Sequence, residues 1–274
     1  MKVACIQMDV KNCDNTTANI DIKCINLQHA MDYIHKAVDK GAELVILPEV
    51  FSTGFCYDSM NIYAETAPWP TVTALCDEFG DADVCIIGSL IERTDGGVGE
   101  YSKNGNYFNT GFCIEKGMVA GVYRKCHPFG REKEYFTKGN NISPIPTSKG
   151  VIGLEICYEL RFPEVARTLA LKGADILVTI AQFPSPRNHH WDTLGPARAI
   201  ENQMPHLACN CVGIDANGSY FGHSGIVDAY GNVIAKASEG ECILYGDVDL
   251  DASGEFRGKI PCFGDRRGEL YWAL

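Results

Sequence analysis

The feature that most constrains the fold is a series of short apolar segments separated by polar or helix-forming stretches. Each is six to eight residues long and rich in β-branched residues: "KVACIQM", "ELVILP", "DVCIIGSL", "FNTGFCI", "VIGLEIC", "DILVTIA", "HLACNCVG" and "ILYGDVDL". Runs of this length and composition predict buried β-strands. Because helical patterns lie between several of them, the chain is predicted to be an α/β protein.

Three segments show helical signals. Apolar residues over 20–38 fall largely on one face, and Gly41 follows them. A second helix is expected from Pro163 to near Gly173, since proline is favoured in the first turn of a helix and glycine just past its end. A third is expected over roughly 191–202.

An internal repeat suggests how these elements are arranged. "KGAELVILPEVF" at 40–51 and "KGADILVTIAQF" at 172–183 both join a helix end to an apolar strand. They predict two sheets from pseudo-repeat halves with helices outside, although chance similarity is an alternative because such units are common in α/β folds. With no linker-like stretch, we expect one domain over 1–274, with the aromatic tail 250–274 packed on that domain or at a dimer interface.

Charge and hydropathy exclude several kinds of partner. The net charge is −11, from 35 acidic and 24 basic residues, and no Lys/Arg block is present, so nucleic acid is not expected as a partner. No apolar run approaches the ~18 residues that span a bilayer, so no membrane is expected either. The N-terminus "MKVACIQMDV" does not resemble a signal peptide, which favours a cytoplasmic protein.

The thirteen cysteines favour a reducing compartment. No C-x-x-C pair occurs, and the only close pair, Cys209 and Cys211, lies in a strand-like segment, so no metal site is expected. The cysteine count also leaves open a thiol-based redox sensor.

Three reactive side chains stand where predicted strands end. Glu49 follows "LVILP", Lys125 follows "GMVAGVYR" and Cys157 follows "VIGLEI". Singly, each is an ordinary surface or core residue. Together they supply the base, cation and nucleophile that acyl transfer requires, at the edge of the sheets where α/β proteins usually place their chemistry.

Five motifs spread over nearly the whole chain resemble the nitrilase superfamily of carbon-nitrogen hydrolases: "LPEVFSTGF", "YRKCHPF", "CYELRFPE", "RNHHWDTLGPARAIENQ" and "GHSGIVDAYGNVIAKA". The resemblance implies a four-layer α-β-β-α sandwich that usually forms dimers, with no metal or organic cofactor. It also implies a catalytic triad of Glu49, Lys125 and Cys157.

The acidic neighbours of Cys157 make its activation a question of charge. An ammonium about 4 Å from the sulfur contributes about 4 kcal/mol, or about three pKa units, so Lys125 is expected to favour the thiolate. Glu159 and Glu164 are expected to pair with a helix N-terminus or with arginines, Arg161 and Arg198 being candidates. Strand alternation places Glu155 on the side of Cys157, with no identified partner.

The resemblance also implies the other parts of the site. Glu49 would act as base, while Lys125 and the backbone N–H of Tyr158 would stabilise the oxyanion. A second glutamate would support the lysine, and Glu132 fits the family spacing better than Glu134. Trp191, Phe183 and Arg187 are expected to line the substrate pocket, whereas three histidines are assigned to packing or pocket walls: His127, His189 and His190.

The motifs look most like the omega-amidase branch, whose substrates are small monoamides such as 2-oxoglutaramate. Arg187 or Tyr158 would bind the free carboxylate of such a substrate. Many relatives have an arginine where this chain has Cys211. The alternatives are a nitrilase, an N-carbamoyl-amide hydrolase, or a catalytically silent binding or regulatory protein on the same fold.

Overall fold

The structure, a computed structural model, describes residues 1–15, 21–94 and 106–271. Its strands are β1 (Lys2–Gln7), β2 (Leu44–Ile46), β3 (Cys85–Thr94), β4 (Asn106–Glu115), β5 (Met118–Arg124), β6 (Ile145–Thr147), β7 (Gly150–Ile156), β8 (Ile176–Ala181), β9 (His206–Asn210), β10 (Val212–Asp215), β11 (Gly218–Phe221), β12 (Gly225–Val227), β13 (Val233–Lys236) and β14 (Cys242–Asp247). The helices are α1 (Ile22–Asp39), α2 (Met60–Tyr63), α3 (Pro70–Phe79), α4 (Glu132–Tyr135), α5 (Pro163–Leu171), α6 (Asn188–Asn202) and α7 (Asp251–Lys259).

The strands form two six-stranded sheets and one small hairpin. The first sheet has the order β14-β1-β2-β3-β4-β5 and the second β13-β12-β9-β8-β7-β6, while β10 pairs with β11. The central strands of each sheet run parallel. In the first sheet β2 pairs in parallel with β1 and β3, and in the second β8 pairs in parallel with β7 and β9. The two copies of the repeated sequence thus supply equivalent inner strands of the two sheets.

Strand alternation builds four layers. In β1, Val3 and Cys5 belong to the cluster between the two sheets, whereas Ala4 and Ile6 pack outward against helices α1 and α3. The second sheet buries its outer face against α5, for example through Leu177 and Leu169. Since successive strand residues point to opposite faces, inner strands covered on both sides are expected to be mostly apolar, as their sequences are. The expected α-β-β-α sandwich is confirmed.

The helix predictions hold in position and type. The first helix begins after Asp21, whose side chain accepts a hydrogen bond from the backbone of Cys24, and ends before Gly41, which has a φ of +79°. The part of this prediction that includes Ile20 lies outside the described residues. The third helix begins three residues earlier than expected, at Asn188.

Four short strands, β6 and β11 to β13, were not expected, because each has only three or four residues. The segment "HLACNCVG" divides between β9 and β10, which lie in different sheets. Within the described part of the chain, no helix is both long enough and apolar enough to cross a membrane.

The C-terminal segment packs on the body of the protein. Phe256 stacks on Tyr230 with ring centroids 4.6 Å apart. The Phe263 ring lies under two guanidinium groups, those of Arg167 at 4.9 Å and Arg257 at 4.7 Å. Trp272, also part of the predicted aromatic tail, lies outside the described residues.

The structure corrects the expected position of Glu155. Its neighbour Gly153 faces Leu169 of α5, so Glu155, two residues on, points to the same outer side of the sheet. Cys157 belongs instead to the cluster between the sheets. The alternation argument failed because Cys157 has left the strand and begins a 3₁₀ turn.

Glu155 lies in a buried chain of hydrogen bonds. Thr179 Oγ1 lies 2.7 Å from Glu155 Oε1 and 2.6 Å from His206 Nε2, and His206 Nδ1 lies 3.0 Å from the carbonyl oxygen of Gly195. Because a carbonyl only accepts, Nδ1 must donate, and in a neutral imidazole Nε2 then accepts from Thr179. The threonine oxygen is left to accept a proton carried by Glu155.

The pKa values of both titratable ends agree with this neutral arrangement. Burial raises the pKa of Glu155 to about 8, and burial lowers the pKa of His206 to about 4. Neither group therefore carries a charge near neutral pH, and the apolar surroundings of the chain do not have to accommodate an ion.

Glu155→Gln is expected to remove a pH dependence of stability. The folded pKa of Glu155, about 8, exceeds its ordinary value of 4.5, so wild-type stability falls as pH rises from about 4.5 to about 8. Glutamine stays neutral at every pH, so its free energy of unfolding should not fall in this way. Between pH 5 and pH 8 the variant should therefore gain on the order of 3 kcal/mol in free energy of unfolding over the wild type. Urea unfolding at both pH values measures the gain.

Glu164→Gln is the matched control, because Glu164 is exposed at the start of α5. It should give no such gain. Parallel behaviour of the wild type and Glu155→Gln at the two pH values would contradict the buried neutral acid.

Candidate active site

A lysine ammonium shared by two carboxylates forms the centre of the site. Lys125 Nζ donates to Glu49 Oε1 at 2.7 Å and to Glu132 Oε1 at 2.9 Å, and all three residues are buried. Burial lowers the pKa of Lys125, but the carboxylates of Glu132 and Glu49 outweigh it and raise the pKa well above its ordinary value. The ammonium therefore stays charged.

Glu49 is held by residues from both sheets. It follows β2 and precedes Val50, whose φ of +40° turns the chain away from the strand direction. Asn109 Nδ2 of β4 donates to Glu49 Oε1 at 2.7 Å. Gln182, after β8, donates its backbone N–H to Glu49 Oε2 at 2.9 Å and its side chain to the Glu49 carbonyl at 2.8 Å. The ends of the two repeated strands thus meet at this carboxylate.

The structure distinguishes the two candidate second glutamates. Glu132 points inward from the short helix α4 to Lys125, whereas Glu134 is exposed. Burial raises the pKa of Glu132 to about 7, with Lys125 opposing the shift. Glu132 Oε2 is buried and has no hydrogen-bond partner, so it offers an unused acceptor to a donor entering the site.

Cys157 sits at a strained turn between β7 and α5. Its φ is +52°, an uncommon value for a residue with a side chain, and it is 5% exposed. The expected thiolate is wrong for the resting protein. Burial raises the pKa of the Cys157 thiol well above its ordinary value, and the negative charge of Glu49 adds to the rise. Lys125 offsets only part of the shift because two carboxylates share its charge.

Glu159 ties the nucleophile turn to the loop that follows Lys125. One carboxylate oxygen accepts from Tyr123 Oη at 2.7 Å and from the Cys126 backbone N–H at 2.9 Å, and the other accepts from the Ile156 N–H at 2.9 Å. Of the two partners expected for Glu159, a helix N-terminus is confirmed by the Ile156 N–H at the start of the 3₁₀ turn, whereas an arginine is wrong. Arg198 instead donates to the Leu160 carbonyl at 2.7 Å and 3.0 Å, and to Glu201 at 2.8 Å.

Tyr158 is the second residue of the 3₁₀ turn Cys157–Arg161. The first N–H groups of a helical turn lack intrahelical acceptors, which leaves them available to an oxyanion. The role of its N–H as oxyanion donor stays a prediction. The Tyr158 ring contacts Phe129 and Phe162 at 4.8 Å and 5.1 Å between centroids.

Cys157 opens into a cavity of about 140 Å³. Its lining combines aromatic rings with a few polar groups: Phe55, Tyr57, Phe129, Gly130, Arg131, Glu132, Cys157, Gln182, Pro184, Asn217 and Tyr220. A cavity of about 150 Å³ accommodates a molecule the size of benzene, so this site suits a small substrate.

The three expected pocket residues do not line this cavity. Phe183 packs in the core against Trp191, with ring centroids 5.2 Å apart. Trp191 lines a separate cavity and donates to the His223 carbonyl at 2.9 Å. Arg187 lies over the Phe129 ring at 5.5 Å, next to the lining. Sequence position alone did not reveal which side chains of the segment 183–191 would face the cavity.

Other residues of the site were missed. Gln182 directly follows the strand of the second copy of the repeat, so the rule that marked polar residues after strands would have found it. Asn109 lies inside an apolar strand, and Arg131 in a polar loop, where neither gives a sequence signal.

None of the three candidate histidines, and neither cysteine of the close pair, lines the cavity. His127 stacks on Phe162 at 4.2 Å and contacts Glu159, in agreement with a packing role. His189 and His190 are exposed. Burial raises the pKa of both thiols on which the redox interpretation depended, those of Cys209 and Cys211, well above the ordinary value. The described residues include no group of three His, Cys, Asp or Glu side chains placed to hold a metal ion.

Comparison with known proteins identifies the family of this chain. A model of the family described as carbon-nitrogen hydrolase matches residues 2–258. The chain belongs to the carbon-nitrogen hydrolase family. This membership makes it a hydrolase rather than a silent binding protein.

Curated relatives and solved structures match the hydrolase along nearly its whole length. It is 35% identical to a probable nitrilase of Schizosaccharomyces pombe, over 99% of this chain and 97% of the relative. It is 34% identical to the 2-oxoglutaramate amidase of Bacillus subtilis, over 90% and 93%. The crystal structure of Saccharomyces cerevisiae Nit3, a member of the nitrilase superfamily, superposes with a TM-score of 0.85 at 29% identity, covering 97% of this chain and 96% of that one.

Lys125→Met is expected to destabilise the hydrolase by about 3 to 5 kcal/mol at pH 7.5, because it leaves two buried carboxylates without their cation. Adding Glu132→Gln should restore part of the loss, since the remaining carboxylate no longer faces a second one. Urea unfolding of the wild type, the two single variants and the double variant measures this coupling. Additive losses would contradict the shared-ammonium arrangement.

Proposed function

We propose that this chain is an amidase, which hydrolyses the C–N bond of small carboxylic amides through a thioester on Cys157. The observation that carries the proposal is the Lys125 ammonium bridging Glu49 and Glu132, with Cys157 and Glu132 both lining a cavity of about 140 Å³. These groups supply a nucleophile, a base and a fixed positive charge in a site of low water content.

In the first half of the reaction the Cys157 sulfur becomes acylated. Its sulfur bonds to the amide carbon while the thiol proton passes to Glu49, so no free thiolate has to accumulate in the buried site. The carbonyl oxygen becomes an oxyanion, stabilised by Lys125 and the backbone N–H of Tyr158; such a donor contributes about 10²- to 10³-fold in rate. Glu49 then returns the proton to nitrogen, the C–N bond breaks and ammonia leaves.

In the second half, water replaces ammonia. Glu49 takes a proton from the water as its oxygen attacks the thioester carbon. When the second tetrahedral intermediate collapses, the C–S bond breaks, the sulfur regains a proton from Glu49, and a carboxylic acid leaves. The same carboxylate thus serves as base and acid twice in each cycle.

The proposed substrates are ω-monoamides of short dicarboxylic acids, such as 2-oxoglutaramate. The Bacillus subtilis relative, named a 2-oxoglutaramate amidase, supports this class. The small cavity volume agrees with a short substrate, and the unpartnered Glu132 Oε2 offers an acceptor to the N–H of a primary amide.

The hydrolase is also proposed to work as a homodimer in the cytoplasm. Exposed apolar side chains of α5, α6 and the C-terminal segment support a subunit interface: Leu171, Ile200 and Ile260. The thirteen cysteines scattered along the chain support a reducing compartment. Light scattering of the purified protein measures the subunit number.

Ammonia release from short monoamides, the corresponding nitriles and N-carbamoyl compounds tests the proposed activity. Monoamides should be the best substrates, and Cys157→Ala should lower kcat by a factor on the order of 10⁴ or more, because the nucleophile is lost. Mass spectrometry of the quenched wild type should detect an acyl group on Cys157.

Cys126→Ala is the matched control, since Cys126 is a half-buried thiol near Lys125 that does not line the cavity. It should retain activity. Release from nitriles alone would replace the amidase by a nitrilase, and ammonia release that survives in Cys157→Ala would remove the proposed nucleophile.

A further inference from the structure

The charges around the cavity limit what the site can bind. The buried group of Glu49, Lys125 and Glu132 contains two carboxylates and one ammonium, and Lys125 already donates to both carboxylates. A substrate with a free carboxylate is therefore repelled by the catalytic end of the cavity, unless another cation holds that carboxylate elsewhere.

Arg131 is the cation among the described residues that line the cavity. Its guanidinium lies 4.6 Å from the centroid of Tyr57 and 5.6 Å from that of Tyr135, and Nη2 donates to Tyr135 Oη at 3.3 Å. The two rings hold the planar group in place, as stacking on aromatic faces does for arginine in general. The guanidinium is therefore oriented before any ligand arrives.

Much of the donor capacity of Arg131 remains for a ligand. Its ion-pair partner Asp58 lies 4.0 Å away, beyond hydrogen-bond distance, and the Asp58 side chain is 81% exposed. Such a contact contributes little in water. An arginine has five N–H donors in a fork that matches both oxygens of a carboxylate, so an incoming carboxylate can bind in the bidentate manner.

Two other cations are less well placed. Lys125 is committed to its two carboxylates in the buried group. Arg187 lies over the Phe129 ring at 5.5 Å but does not line the cavity. Arg131 also neighbours Glu132 in sequence, so the anchor for the acid end and the acceptor for the amide N–H come from adjacent residues.

We propose that Arg131 binds the free carboxylate of the substrate and thereby selects ω-monoamides of dicarboxylic acids over neutral amides. This inference rests on the proposed amidase function and adds the residue that determines its specificity. Glutaramate and the neutral diamide glutaramide form a suitable pair of probes, because they differ only in whether the far end is a carboxylate or an amide.

Binding to the full-length Cys157→Ala protein, measured by calorimetry, tests the proposal without turnover. This protein should bind glutaramate more tightly than glutaramide. Adding Arg131→Gln should weaken glutaramate binding roughly 10- to 100-fold, as expected for lost hydrogen bonds to a charged group, and change glutaramide binding by less than about threefold. Arg131→Lys keeps the charge but not the fork of N–H donors. Its affinity for glutaramate should lie between those of the Cys157→Ala protein and of the protein that also carries Arg131→Gln.

Lys133→Gln is the matched control, because Lys133 is the exposed basic residue two positions further along the same loop and helix. It should leave glutaramate binding unchanged. Equal weakening of both probes by Arg131→Gln would overturn the proposal, as would a selective loss carried by Arg187→Gln instead. Kinetics of the wild type separate the Arg131 proposal from the amidase proposal. Selective, Arg131-dependent binding without ammonia release would support the role of Arg131 but contradict the amidase. Ammonia release without such binding would support the amidase but contradict the role of Arg131.

Discussion

The buried Lys125 ammonium is the interaction on which the rest of the site depends. Removing a lysine from water is costly, and two carboxylates at 2.7 Å and 2.9 Å offset that cost. The three charges come from the ends of β2 and β5 and from α4, so they can meet only if the first sheet is correctly assembled. The second sheet contributes Gln182, which fixes the Glu49 carboxylate. The charge group therefore links formation of the sandwich to formation of the active site.

The nucleophile depends on this group in a less direct way than the sequence suggested. Lys125 is present, yet its charge is shared by two carboxylates, and burial keeps Cys157 as a thiol at rest. Proton transfer to Glu49 then has to accompany attack on the substrate. The hydrogen bonds of Glu159 to the Ile156 and Cys126 N–H groups fix the turn that carries Cys157, whose φ is strained.

Burial leads to a different protonation state for Glu155, on the outer face of β7. Glu155 is as deeply buried as the catalytic carboxylates but has a threonine and a neutral histidine as neighbours instead of an ammonium, so it stays protonated. One short segment, residues 155–159, thus carries a neutral acid toward the helices, a thiol toward the cavity, and a carboxylate that binds backbone N–H groups. The partner of each group, rather than its residue type, decides its charge.

The sequence by itself determined the α/β class, all but four of the described strands and three helices, and it selected Glu49, Lys125 and Cys157 as the candidate triad. These depend on local periodicity and on motifs at strand ends, and each such signal lies within a short window of the sequence. Only the tertiary structure decided that Glu155 faces the helices, and that Tyr57 and Arg131 line the cavity where Phe183 and Trp191 were expected. Those outcomes depend on which side of a turn faces inward and on how charges from distant segments balance, and both are set only when the two sheets pack together.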